Sequence, residues 1–277
     1  MNYEGKAVLL ASKHSKEQAI EPAFRQHLAC KLCVEAIDTD QFGTFTGEVP
    51  RTLSAYETCI LKATAAAKQM NYALSIASEG SFGPHPSNPF LPYAHEIMVF
   101  VDLEQNWTIV DHLRTTNTNY KMMTIHQDTD LGAFLDFVRF PTHALTLQSG
   151  DRSEVVAKGI INDNQLQDAL SVGFKRYHEL LIATDMRAML NPTRMQTLAE
   201  LAEKLALRIK TACPGCGIPG FGFNSVSGYL PCSQCGDETN VYRCEIWACI
   251  RCDYQEQRSR YDRRVTADPR HCDYCNP

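Results

Sequence analysis

The sequence predicts a mixed-sheet α/β domain over residues 1–210, followed by a small cysteine-rich module over residues 211–277. Two observations predict this division. Short apolar runs alternate with stretches of helical periodicity from the first residues onward, starting strand, turn, helix, strand. Nine of the twelve cysteines lie between residues 213 and 275, and the other three stand at 30, 33 and 59. A length of 277 residues suits one large and one small domain, and 44% hydrophobic residues exclude a disordered chain.

The elements follow in order. Ala7 to Ala11 is a short apolar run, read as a buried strand. Ser12 to Lys16 is a polar turn, and Ile20, Ala23, Phe24 and Leu28 then recur at helical spacing. Lys31 to Ile37 reads as a second strand, and Asp38 to Pro50 as a polar loop. Tyr56, Cys59, Ile60, Ala63, Ala67 and Met70 form the apolar stripe of a helix starting near Ser54. Ala73 to Ala77 is the next strand. Ser78 to Pro92 carries four prolines and two glycines and reads as a stiff loop. Glu96 to Asp102 and Trp107 to Asp111 read as paired strands, 131–138 as a helix, 144–148 as a strand and 163–173 as a helix. Met195, Leu198, Ala202, Leu205 and Ile209 mark a long amphipathic helix after Asn191-Pro192-Thr193.

The strongest chemical signal is a set of four C-x-x-C pairs: Cys213 and Cys216, Cys232 and Cys235, Cys249 and Cys252, Cys272 and Cys275. Two thiolates three residues apart hold one side of a tetrahedral ion, and a second pair completes the shell. Eight thiolates therefore imply two tetrathiolate sites. Their softness favours zinc, two ions in structural roles, with iron as a minor competitor. Gly217 and Gly236 follow two pairs, where the knuckle often needs a positive φ. A strand over Asn240 to Ala248 between two knuckles is similar to a zinc ribbon. That pattern favours an inner site of Cys232, Cys235, Cys249 and Cys252 and an outer site of Cys213, Cys216, Cys272 and Cys275. Sequential and cross-braced pairings stay open, and Cys244 and His271 are left over. The run Arg258 to Arg264 is basic and carries Tyr261, which suits phosphates or bases. The module nevertheless holds seven arginines, no lysine and eight acidic residues, so a solvated face is the favoured reading.

In the larger domain, Ser12, Lys13, His14 and Lys16 crowd the start of a helix, where exposed N–H groups suit a phosphate. Glu57 opens the next helix and completes a Ser54-x-x-Glu57 capping box, which would explain both residues without function. Lys62 lies about 140° further round that helix, flanking its apolar stripe. Glu79 ends the Ala73–Ala77 strand beside Gly80, where ligands bind in open α/β sheets. Asp38, Asp40 and Glu48 add hard oxygen ligands in the preceding loop, a set suited to Mg²⁺ with substrate phosphates.

These parts carry a resemblance. A-S-K-H-S-K at 11–16, E-T-C-I-L-K-A at 57–63 and S-E-G-S-F-G at 78–83 resemble the successive motifs of the inosine triphosphate pyrophosphatase and Maf superfamily over residues 7–102. His14 stands where that superfamily has asparagine. The resemblance implies a nucleotide-pyrophosphatase-like fold and Mg²⁺-assisted attack of water on a nucleoside triphosphate, releasing pyrophosphate. It implies that Lys16 and Lys62 hold phosphates and that Glu57 and Glu79 bind Mg²⁺. The blocks at 38–48 and 78–86 look closer still to an uncharacterised bacterial family with a zinc-binding tail, along most of the chain.

Other groups are weighed more briefly. Cys30 and Cys33 read as buried packing before a redox pair. His85 and His95 lack an evident partner for acid–base work. Arg187 either clamps an anion or pairs with Asp185. A net charge of −5 argues against coating a nucleic-acid backbone, and no apolar run is long enough to span a membrane. Met1 to Lys6 has no signal-peptide layout, so a cytoplasmic protein is expected. The expected function is a Mg²⁺-dependent hydrolase of a nucleotide phosphoanhydride; the alternative is a non-enzymatic adaptor binding a nucleotide, or nucleic acid through the zinc module.

Overall fold

The computed structural model describes residues 3–12, 15–35 and 53–277. They form two compact units, Asn2–Ala206 and Leu207–Pro277. The first begins with β1 (Ala7–Leu10), α1 (Glu17–Leu28), β2 (Lys31–Val34), α2 (Ala55–Met70), β3 (Leu74–His85), β4 (Asn88–Asp102) and β5 (Trp107–Thr115). These strands make one sheet in the order β2-β1-β3-β4-β5. β1 runs parallel to both β2 and β3, and β4 and β5 add antiparallel.

The strand order dictates where the helices go. The chain steps from β1 to β2 in one direction, then crosses back over β1 to reach β3. Right-handed connections therefore put α1 and α2 on opposite faces. Alternation along the strands agrees. Leu9, Ala77, Ile97 and Val99 pack with Cys59, Ala63 and Ala66 of α2. Their neighbours face the other way, where Phe100 meets Phe24 of α1 at 6.5 Å and Tyr3 edge-on at 5.1 Å. Ser54 caps α2: its hydroxyl accepts from Glu57 N at 3.2 Å, and the Glu57 carboxylate accepts from Ser54 N at 3.0 Å.

A second sheet follows. It is built from β6 (Met122–Ile125), β7 (Leu145–Ser149), β8 (Val155–Ile160) and β9 (Leu180–Thr184), in the order β6-β9-β7-β8 and antiparallel throughout. The helices α3 (Gly132–Val138) and α4 (Asp163–Phe174) contribute Phe134, Val138, Leu166 and Ala169 to its core. Helix α5 (Pro192–Lys210) closes the unit. The boundary between units falls inside this helix, four residues before the sequence boundary. Its last turn belongs to the second unit, where Arg208 Nε donates to Gly220 O at 3.1 Å. That unit carries β10 (Gly222–Pro231), β11 (Glu238–Ala248) and β12 (Gln255–Ser259), antiparallel in that order.

One element corrects the sequence reading. Ser78 to Pro92 is not a loop but the greater part of the long β3–β4 hairpin. β1 pairs with β3 only as far as Ile76, and β5 pairs with β4 only from Ala94 onward. The prolines thus fall on a two-stranded ribbon whose outer edges need no donor. Pro84 stands opposite Pro92, so two missing N–H groups occupy one rung. Asp38, Asp40, Glu48 and the loop from Asp38 to Pro50 lie outside the described residues, as do Lys13 and His14. Among the described residues, no helix is long and apolar enough to cross a membrane.

Candidate functional site

Beyond the end of β1 the edge of β3 runs on past the last shared rung. Ala11 N makes the last rung to Ile76 O at 2.8 Å. The next carbonyl on that edge of β3, Ser78 O, has no β1 residue opposite it. Lys16 fills the place from the start of α1, with Nζ 3.1 Å from Ser78 O and 2.9 Å from Ser78 Oγ. Here two parallel strands end and their connecting helices leave to opposite faces, which is where open α/β sheets bind ligands.

Four more charges surround this point. On the α2 face, Lys62 Nζ lies 2.5 Å from Glu79 Oε1. On the α1 face, Glu96 stands opposite Gly80 in register. Arg194, from the first turn of α5, grips it in a fork, with Nε 2.7 Å from Oε1 and Nη2 3.2 Å from Oε2. Its remaining nitrogen donates to Met186 O, and its guanidinium lies 5.0 Å from the centre of the Phe82 ring. Gly80 makes this approach feasible. A Cβ there would sit 2.6 Å from Arg194 Nη2 and 2.7 Å from both Glu96 oxygens.

Three cations and two carboxylates are thus buried around the end of β1, one ion pair on each face of the sheet, with Ser12 and Ser78 also buried. Such burial contributes little to stability, since desolvation of each ion offsets most of the attraction. Among the described residues, three cations stand against two carboxylates. Lys16 is pushed down to about 8, chiefly by burial, with Arg194 and Lys62 acting in the same direction and Glu79 and Glu96 against it. Burial foremost, then Glu79, pushes the neighbouring Cys59 thiol up, so it is a protonated wall of the site. Gly80 and Ser15 are half-buried and Ser81 is exposed, which marks the rim where the cluster meets solvent.

Of the residues read from the sequence, Lys16, Lys62 and Glu79 meet here. Lys62 does not flank the apolar stripe of α2; it is buried in it with Thr58, while Tyr56 is exposed. Glu57 is spent on the helix cap, its Oε2 also 2.7 Å from Ser54 Oγ. Glu96 and Arg194 escaped the sequence reading, although each carried a signal. Glu96 shares its strand face with the buried Met98 and Phe100. Arg194 precedes Leu198 and Leu201 on the buried face of α5, in a first turn that disfavours cations.

The other candidates have local partners. Arg187 pairs with buried Asp185, through Nε at 3.0 and 3.1 Å and Nη2 at 2.6 Å. The Cys30 thiol, pushed up to about 11 by burial, points to Phe24 O at 3.7 Å, and the Cys33 thiol to Lys31 O at 3.9 Å. His85 Nδ1 accepts from Ser87 N at 3.2 Å in the hairpin turn, and His95 Nε2 lies 3.2 Å from His112 Nδ1.

The second unit gathers its cysteines into two groups of four, each able to hold a metal ion. The favoured nested pairing is corrected. Cys213 and Cys216 join Cys249 and Cys252, while Cys232 and Cys235 join Cys272 and Cys275, a cross-brace. Sulfur–sulfur distances are 3.7 Å for Cys213–Cys252 and Cys216–Cys249, 3.9 Å for Cys232–Cys275 and 3.6 Å for Cys235–Cys272. Four sulfurs about 2.3 Å from one ion lie about 3.8 Å apart along the edges of a tetrahedron, so the groups fit. Backbone N–H groups of Gly215, Gln234 and Arg251 point at the sulfurs of Cys213, Cys232 and Cys249 at 3.3–3.4 Å. Gly217 and Gly236 turn the chain with φ of +73° and +84°. Cys244 belongs to neither group and sits in β11 opposite Ser259. The arginine run is internally matched: Arg258 pairs with Glu256, and Arg260 and Arg264 with Asp262.

The family model for a domain of unknown function, DUF6671, matches residues 62–277. The chain belongs to this family. The matched part contains all eight paired cysteines together with Lys62, Glu79, Glu96 and Arg194, while Lys16 precedes it. No curated protein matches the chain. The resemblance to the inosine triphosphate pyrophosphatase and Maf superfamily gains no support from these matches.

Proposed function

We propose that the first unit binds a phosphate-bearing small molecule, with a nucleotide the leading class, where β3 runs on beyond the end of β1. The observation that carries this reading is that Lys16, Lys62 and Arg194 are buried with Glu79 and Glu96 at the ends of two parallel strands, Lys16 alone of the three having no carboxylate at ion-pair distance among the described residues. A phosphate oxygen arriving at the rim would meet Lys16 and the Arg194 fork, and its charge would complete the balance. Magnesium does not fit as a resident ion of the described residues. Glu57 is occupied by the cap and Glu79 by Lys62, and the cysteine groups are the only metal clusters there. Hydrolysis of a phosphoanhydride is therefore a second step of the proposal, with its own test.

A thermal-shift panel of nucleoside mono-, di- and triphosphates and inorganic phosphate, with and without Mg²⁺, tests binding. At a hundred times Kd the folded state gains about 2.7 kcal/mol. In a unit this size that is about 5–10 °C in Tm. No shift with any phosphate compound would end the proposal. Pyrophosphate release that needs Mg²⁺ and disappears in Glu79→Gln would add the hydrolase activity; binding without release would leave a non-enzymatic module.

We further propose that the two tetrathiolate groups hold structural zinc. Sulfur spacing and thiolate softness support zinc, and four protein ligands leave no open position for chemistry. Metal analysis should return two zinc ions per chain. Nucleic-acid binding through Arg258, Arg260, Arg263 and Arg264 has less behind it, because Arg260 is buried and three of the four are paired. Salt-dependent RNA or DNA retention, lost when these arginines are changed, would restore it.

A further inference from the structure

A cavity of the first unit lies away from the charged cluster and opens to solvent. Pro84 and Pro92 form one rung of the β3–β4 hairpin, and across from them stand Tyr120, Lys121 and Phe137. The space they line, with Phe90 at its rim, measures about 270 Å³. We propose that this cavity binds a small flat aromatic carboxylate, with its rings against the proline and aromatic walls and its carboxylate on Lys121.

The walls are apolar and anchored on regular elements. Tyr120 stacks on Phe82 at 6.2 Å with 29° between the rings, and the Arg194 guanidinium lies 5.0 Å from the centre of Phe82. The backbone of Lys121 is pinned to β9: its N–H donates to Thr184 Oγ1 at 3.1 Å, and its carbonyl accepts from Thr184 N at 3.0 Å. Phe137 stands on α3. Phe90 is 96% exposed and Phe137 44%, so two large rings face water at one opening. A flat ring inserted there removes apolar surface from water on both partners. Ligand sites are mostly apolar hollows with a few polar groups that fix orientation, and their usual range starts at about 300 Å³. This one falls just below that, which suits one or two fused rings.

Charge selects the other end of the ligand. Among the described residues that line the cavity, Lys121 carries the only charge, and no carboxylate faces it there. Its ammonium lies 4.4 Å from the centre of the Phe137 ring and makes no ion pair among the described residues. The face of a ring attracts a cation without neutralising it. An anionic group beside Phe137 therefore meets an unbalanced positive charge, and one lysine matches one carboxylate. Pro84 is six residues along β3 from Ser78, about 20 Å at the rise of a strand. The site is thus separate from Lys16 and does not rest on the phosphate-binding reading.

Titration of the full chain with naphthoate, followed by NMR shifts, tests this. Saturable shifts should gather at Phe90, Tyr120, Lys121 and Phe137. Naphthoate should bind about five- to tenfold more tightly than the neutral naphthylmethanol. Phe137→Ala should weaken both ligands, while Lys121→Met should erase the preference and keep the alcohol. Shifts scattered over the surface, or none at these residues up to about 5 mM naphthoate, would overturn the site. Equal binding of acid and alcohol to the wild type, or a preference that survives Lys121→Met, would overturn the part given to Lys121. Tighter binding of naphthyl phosphate than of naphthoate at these residues would overturn the carboxylate. The wild-type comparison decides the matter even if a variant fails to fold.

Discussion

Gly80 is where the buried Arg194–Glu96 pair is most sensitive to a single methyl group. In Gly80→Ala the new carbon would lie 2.6 Å from Arg194 Nη2 and 2.7 Å from each oxygen of Glu96. Carbon needs about 3.5 Å or more from such atoms, so the side chains must withdraw. Neither is free to do so. The Glu96 side chain is fully buried, the Arg194 side chain is 8% exposed, and the two hold each other by two hydrogen bonds. Arg194 is also tied to Met186 O. Separating a buried pair costs about 3–5 kcal/mol, and a partial shift about the 1–3 kcal/mol of an overpacked core. We expect a loss of about 2–3 kcal/mol, seen as a lower urea midpoint at unchanged slope. In a unit of this size that is about 4–12 °C in Tm. The control is Gly83→Ala on the same strand, where the methyl meets nothing within 4 Å; its change should stay within about 0.5 kcal/mol. Equal behaviour of the two variants would refute the account of the Arg194–Glu96 pair over Gly80.

Three further outcomes are expected. Lys16 titrates near 8 in the folded chain and near 10.5 when unfolded. The unfolded chain therefore binds the extra proton between these values, and stability should rise with pH across that window, by about 3 kcal/mol at most. Urea midpoints at pH 8 and pH 10 should show this rise in the wild type and lose it in Lys16→Met. A strong zinc chelator should unfold the β10–β12 unit, seen as loss of its amide-exchange protection, while the β1–β5 sheet keeps its own; unchanged protection would mean the thiolates are structural without metal. Arg260 donates to Asp262 at 2.8 and 2.9 Å and to Tyr242 O at 2.7 Å and lies 4.0 Å over the Tyr242 ring. Arg260→Ala should cost about 3 kcal/mol against about 0.5 or less for the exposed Arg263→Ala, measured on the zinc-loaded chain.

What the sequence disclosed follows from which forces are local. The helices α1, α4 and α5 announce themselves because their buried faces repeat every three or four residues and their caps lie within a few positions. The cysteine pairs are legible for the same reason: a knuckle is a four-residue object. Partners far apart in the chain are not legible in this way. Lys62 looks like a residue flanking the stripe until Glu79 is placed against it, and no periodicity of α2 carries that information. The proline-rich hairpin misleads because a proline is judged by its own missing donor. Whether the donor is missed depends on how far β1 and β5 extend beside it. Strands β6, β8, β9, β10 and β12 have no counterpart in the sequence reading. Leu180–Thr184 in β9 is a fully buried run, and its length and composition alone do not say which sheet it joins. The metal pairing is misread because the strand between Cys235 and Cys249 suggests a nested ribbon, while four equal knuckles fit three arrangements by spacing alone and the structure takes the cross-braced one.

The cross-brace has a consequence for how the C-terminal unit comes apart. The span from Cys213 to Cys252 and the span from Cys232 to Cys275 overlap, so an ion in either group would fasten chain that the other group also encloses. A cut anywhere between Cys235 and Cys249 divides both groups at once, so neither half keeps four cysteines of one group. Clipping the final residues through Cys272 would therefore slacken β10 and β11, which the second knuckle connects, as surely as it frays the end of the chain. The two cysteine groups are interlocked along the chain, each straddling one arm of the other.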